Sequence, residues 1–97
     1  MSEVTLLLIY GQHGKYQVPR RVKAFCDPEK VPLYDGMSIK EVNNGNYFFE
    51  KYPSGEPVKN EKGNRGVSFS RFLTGKRASK PTNGDPMDLR MENWREE

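Results

Sequence analysis

A chain of 97 residues suits one compact domain and falls short of two, because an independent domain usually takes roughly 100–150 residues. Hydrophobic residues make up 34% and charged residues 30%, with a net charge of +3, and the longest apolar run, residues 6–10, is far below the roughly 18 residues of a membrane span. One cysteine, Cys26, and one histidine, His13, exclude an internal disulfide and the thiol and imidazole metal sites that need several such ligands.

Residues 4–10 are apolar nearly throughout and predict a strand buried on both faces, with residues 11–14 as the turn after it. Residues 15–25 carry Tyr16, Val18, Val22 and Phe25 and predict its hairpin partner, with Pro19 at an edge or a bulge. Residues 27–36, with prolines at 28 and 32, read as an irregular crossing. Ser38 and Glu41 have capping-box spacing, and Asn43-Asn44-Gly45 limits any helix there to a short turn. Residues 46–52 are aromatic-rich and, with the turn at 53–55 and residues 56–60, predict a second hairpin. Val67, Phe69 and Phe72 or Leu73 mark the last strand, and residues 74–85 are a loop by composition.

The end of the chain supports two readings. Asp85-Pro86 makes a helix start, with Met87, Met91 and Trp94 on one helical face, whereas Met87, Leu89 and Met91 alternate with charged residues as in a strand. The expected fold is mainly β, or α+β: a small single-domain antiparallel sheet or partly open β-barrel with a short C-terminal helix or strand. No membrane span and no signal peptide are expected, since Glu3 precedes the apolar run and no small-residue cleavage pattern comes after it, so the expected location is cytoplasmic.

The charge is divided along the chain. Residues 1–80 hold 14 of the 16 basic and 8 of the 13 acidic side chains, a balance of +6, and residues 81–97 come to −3. The expected organisation is a basic β-rich core over 1–80 and an acidic C-terminal segment over 81–97, packed on the same domain or extending from it. Two windows have no acid: residues 15–23, with Lys15, Arg20, Arg21 and Lys23, and residues 62–80, with Lys62, Arg65, Arg71, Lys76, Arg77 and Lys80 among Phe69 and Phe72. Lysine and arginine neutralise phosphates and release condensed cations, giving salt-sensitive affinity for nucleic acid. Aromatic rings add stacking on unpaired bases, worth roughly 1–3 kcal/mol each. Tyr16, Tyr34, Tyr47 and Tyr52 are the stacking candidates, because most of Phe25, Phe48, Phe49, Phe69 and Phe72 are needed for a core.

The order Gly14-Lys15-Tyr16, then Phe25-Cys26-Asp27, then Gly45-Asn46-Tyr47 resembles, in scattered pieces, the small gene-V-type single-stranded-DNA-binding proteins of filamentous phages. The resemblance implies a β-barrel dimer. It lacks that family's longer N-terminal loop and does not establish membership.

Catalytic patterns are weak. His13 sits in a tight turn, where a solvated role is the ordinary one. Cys26 lies near Arg20, Arg21 and Lys23, which would favour a thiolate, but a buried inert thiol is the commoner outcome at a strand end. Gly63-Asn64-Arg65-Gly66 lacks the Lys-Ser/Thr that completes a phosphate loop. The expectation is a non-enzymatic accessory protein without cofactor or metal that binds single-stranded or structured nucleic acid. The alternative is a small phage- or plasmid-type factor that docks on a larger host enzyme or complex through Tyr52, Met87, Met91 and Trp94. A homodimer would bury further apolar area in so small a domain.

Overall fold

A computed structural model describes residues 1–10, 19–43, 46–75 and 80–94, with backbone only at Tyr10 and Asn43. The expected turn at residues 11–14 and the start of the second strand lie outside the described residues. The first strand, β1 (Ser2–Tyr10), lies inside the sheet. It pairs antiparallel with β2 (Arg20–Cys26) and parallel with β3 (Ser38–Asn43). Then β4 (Asn46–Lys51) pairs antiparallel with β3, and the two-residue β5 (Val67–Ser68) with β4, giving the order β2-β1-β3-β4-β5. The chain is thus one small domain built on an open sheet, mostly antiparallel with a single parallel pair. Pro19 stands just before β2, an edge position where a missing N–H costs nothing.

One face of the sheet carries the core. Val4, Leu6 and Leu8 of β1, Ala24 and Cys26 of β2, Ile39 of β3 and Phe49 of β4 are all buried. Three pieces cover them: helix α1 (Val31–Tyr34), helix α2 (Phe69–Thr74) and the C-terminal segment, which contribute Tyr34, Phe69, Leu73, Leu89 and Trp94. Rings fill the centre, with Phe49 and Phe69 stacked at 4.2 Å, Phe72 4.7 Å from Phe49, and Tyr34 5.8 Å from it. Pairs of this kind add about 0.5–1.5 kcal/mol beyond the area they bury. The radius of gyration, 12.6 Å, is that of one well-packed domain of this length.

Five local expectations are corrected. β1 is buried on one face only, since Thr5 is exposed and Leu7 half-buried between buried Leu6 and Leu8. The crossing over residues 27–36 is not irregular but consists of a 3-10 turn at Pro28–Lys30 and then α1, with the prolines in first-turn positions where no N–H bond is lost. Ser38 and Glu41 cap nothing and lie in β3, because Ile39 and Met37 gain complete burial there while Ser38 pairs with Leu7 on one side and Lys51 on the other. Residues 69–74 are helix rather than strand. The Ser68 hydroxyl accepts from Arg71 N at 3.2 Å to cap the start, and Gly75, at φ 80°, closes the end by donating to Arg71 O at 2.8 Å.

The fifth concerns the C-terminal segment, where the expected short helix is a 3-10 turn at Met91–Asn93 and strand-like pairing is confined to one parallel bridge between Phe25 and Asp88. Asp85 Oδ1 does accept from Met87 N at 3.0 Å, but the chain then docks on β2. Phe25 N donates to Met87 O at 2.9 Å and Leu89 N to Phe25 O at 2.6 Å, and a 3-10 turn at Met91–Asn93 comes next. The second hairpin forms only in part: Tyr52 N donates to Glu56 O and Val58 N to Glu50 O, and β5 pairs with Phe48 and Phe49.

Candidate nucleic-acid interface

Alternation along each strand sends the residues between the core positions to the opposite face. On β2 these are Arg21, Lys23 and Phe25, on β1 Glu3, Thr5 and Leu7, on β3 Ser38 and Lys40, and on β4 Phe48 and Glu50, with Lys51 opposite Ser38 across a register shift. Leu7, Phe25 and Phe48 are half-buried, yet none belongs to the core cluster or the apolar residues packed against it. Cross-strand register sets Arg21, Leu7 and Ser38 in one row and Lys40, Phe48 and Ser68 in another. This face therefore carries two apolar side chains, Leu7 and Phe48, on either side of the polar Ser38 and Lys40 of the central strand.

In the middle Lys40 is neutralised, and the exposed positive charge lies at the two sides and at Lys51. Lys40 Nζ lies 2.9 Å from Glu50 Oε1 and 5.6 Å from the centroid of the Phe48 ring, so the central lysine is committed to its neighbours. Gly66, at φ 86°, closes over this pair: a Cβ there would meet Glu50 Oε1 at 3.2 Å. At the β2 side, Arg20, Arg21 and Lys23 are exposed, and the Lys23–Glu3 contact is a long 3.9 Å between two solvated side chains, which screens little of the lysine charge.

The opposite side carries a basic hairpin. The chain leaves the sheet edge after Val58 and returns at Gly66, whose N–H donates to Val58 O at 2.9 Å. Lys59 lies opposite Arg65, and Asn60 N donates to Asn64 O at 2.9 Å. The Asn60 side-chain oxygen accepts from Lys62 N at 2.9 Å and Asn64 N at 3.0 Å, locking the tip. Lys59, Lys62 and Arg65 are exposed, with Glu61 as the one acid between them.

The two basic windows of the sequence are thus separated in space, one at β2 and the other, in part, at the far edge. Arg71 is half-buried on α2 and Lys80 is exposed at the start of the C-terminal segment, while Lys15, Tyr16, Lys76 and Arg77 lie outside the described residues. Tyr47 is on the core side, its ring stacked on Phe69 at 5.6 Å, and Tyr34 is buried, so neither offers a free ring on the open face. Sequence reasoning missed Phe48, Leu7, Lys40 and Lys59. A signal for Phe48 was present: Phe48 and Phe49 are adjacent, and neighbours in a strand point to opposite faces.

The proposed docking stripe does not assemble. Trp94 is 4% exposed and donates from Nε1 to Asp88 O at 2.7 Å, which makes it a core residue. Met87 and Tyr52 are half-buried against the core, and Met91, 47% exposed, points into solvent. Two described acids of this segment are structural too, Asp85 through its bond from Met87 N and Asp88 through bonds from Arg90 and Asn83. Asp88 is buried and takes Arg90 Nε at 2.8 Å, Arg90 Nη2 at 2.7 Å and Asn83 Nδ2 at 3.0 Å. These bonds from Arg90 hold its carboxyl below the ordinary value against the opposing effect of burial.

Cys26 is completely buried, and burial, with the negative charges of Asp27, Asp35 and Glu29 adding to it, pushes its thiol up, so the nearby basic side chains do not activate it. His13 lies outside the described residues. Among the described residues no group of three or more His, Cys, Asp or Glu converges to hold a metal ion, and no helix is long and apolar enough to cross a membrane. Compared with known proteins, the chain matches no family model, no curated protein and no solved structure.

Proposed function

We propose that this chain is a small non-enzymatic accessory protein that binds nucleic acid across the open face of its sheet. The observation that carries this reading is the layout of that face, with Leu7, Phe48 and the Lys40–Glu50 pair between two exposed basic edges, Arg21 and Lys23 on one side and Lys59, Lys62 and Arg65 on the other. Phosphates would be neutralised at both edges with release of condensed cations.

Fluorescence anisotropy with a labelled oligonucleotide tests it. Binding is expected to fall steeply with salt, and the double variant Arg21→Ala/Lys23→Ala is expected to weaken binding to all sequences and to flatten the salt dependence by about 0.7 for each phosphate no longer neutralised. No anisotropy change with micromolar protein at low salt overturns the reading. The rival class, a docking factor for a larger protein, draws on less, because Met87 and Trp94 are used in packing.

A further inference from the structure

We infer that the ligand of the open face is an unpaired strand that runs across the β-strands, from the β2 edge to the hairpin of residues 59–65, with Phe48 as the stacking platform between them. The inference rests on the nucleic-acid reading and adds strandedness, direction and length to it. β2 and β5 are separated by four strand spacings of about 4.8 Å, so the two basic edges are roughly 19 Å apart. Between them Lys40 is paired with Glu50, and among the described residues of β1, β3 and β4 the one exposed cation is Lys51, at the end of β4 opposite Ser38. Beside it the face offers planar and apolar surface, Phe48 on β4 and Leu7 on β1.

A duplex cannot use that centre. Its bases are already stacked on each other and its phosphates face outward, so it would touch one basic edge at a time and leave Phe48 and Leu7 in water. A single strand has free base faces and a backbone that spans the gap. About five nucleotides would cover it, at the low end of the roughly 4–16 nucleotides held by single sheet-based binding folds. Strand alternation sets the Phe48 ring on this face, 5.6 Å from Lys40 Nζ, and the absence of a side chain at Gly66 leaves room for the Lys40–Glu50 pair.

The test compares labelled single strands of about two to about twelve nucleotides with a duplex of the same sequence, at low salt. Affinity per site is expected to climb to about five nucleotides and then level off, with the duplex bound at least roughly tenfold more weakly. Phe48→Leu, which keeps apolar volume outside the core, is expected to weaken single-strand binding roughly tenfold at unchanged Tm, and Phe48→Tyr to retain it. Salt-sensitive binding that ignores strandedness, or single-strand affinity unchanged in Phe48→Leu, overturns this inference and leaves the general reading standing. Absence of binding to either form overturns both. A free protein that runs as a dimer, separates on Phe48→Leu and binds strands as before assigns the face to self-association and also overturns the inference.

Discussion

Asp88 illustrates how one residue can look functional in a sequence and prove structural in a fold. It belongs to an acidic C-terminal stretch, but its carboxylate is saturated by Arg90 and Asn83, and its carbonyl accepts from Trp94 Nε1 and Asn93 Nδ2. Because the folded carboxyl titrates below its unfolded value, its contribution to stability is complete above the unfolded pKa of about 4 and is lost as pH falls through the folded value. Asp88→Asn is therefore expected to lower stability at neutral pH by about 1–3 kcal/mol, with the difference from the parent shrinking below about pH 4. Urea unfolding at both pH values measures it. A constant difference would mean that packing, not charge, is what Asp88 supplies. The same scale explains Phe48 and Phe49: identical neighbours take opposite roles because a strand has two faces, and only one of them is covered by α1, α2 and the chain's end.

At the scale of elements, α2 depends on its ends. With six residues it is too short to be stable by itself, and it persists because Ser68 caps its start, Gly75 closes it and Phe69 and Leu73 reach the core. Ser68→Ala is expected to cost about 1 kcal/mol and to lower Tm by about 4–8 °C, read by thermal circular dichroism. These signals were in the sequence: a serine, apolar residues spaced by three and four, and a glycine beyond them. They were outweighed by the aromatic content of residues 67–73, which has strand preference as well. The converse holds for β3. Ser38 and Glu41 have the spacing of a helix start, yet Met37 and Ile39 alternate with polar neighbours, and pairing with strands on both sides decides in favour of that alternation.

For the whole molecule, the segment after Gly84 completes the core rather than extending from it. Leu89 and Trp94 are buried among the sheet and helices, and Phe25 in β2 exchanges two backbone hydrogen bonds with the segment. Removing residues 86–97 is expected to abolish the cooperative unfolding transition, because loss of a buried tryptophan alone costs about 3–5 kcal/mol against a total of roughly 5–15 kcal/mol. A truncated chain that still unfolds cooperatively in urea would show the segment to be dispensable. Composition and turn spacing by themselves determined a small, single, β-rich domain with no disulfide, since the glycines and prolines leave room only for short elements and one cysteine has no partner. The strand at the N-terminus, its antiparallel pairing with β2 and the excess of positive charge in the body were legible for the same local reasons. Which basic residues lie together was decided only by tertiary structure. Residues 15–23 and 62–80 are contiguous runs in the sequence, but sheet order puts Arg21 and Lys23 at one edge and Lys62 and Arg65 at the other, and sheet order depends on pairings between residues far apart in the chain. Burial of Trp94 and exposure of the Phe48 face were decided at that level as well, because a side chain's environment depends on which of two faces the remaining chain covers.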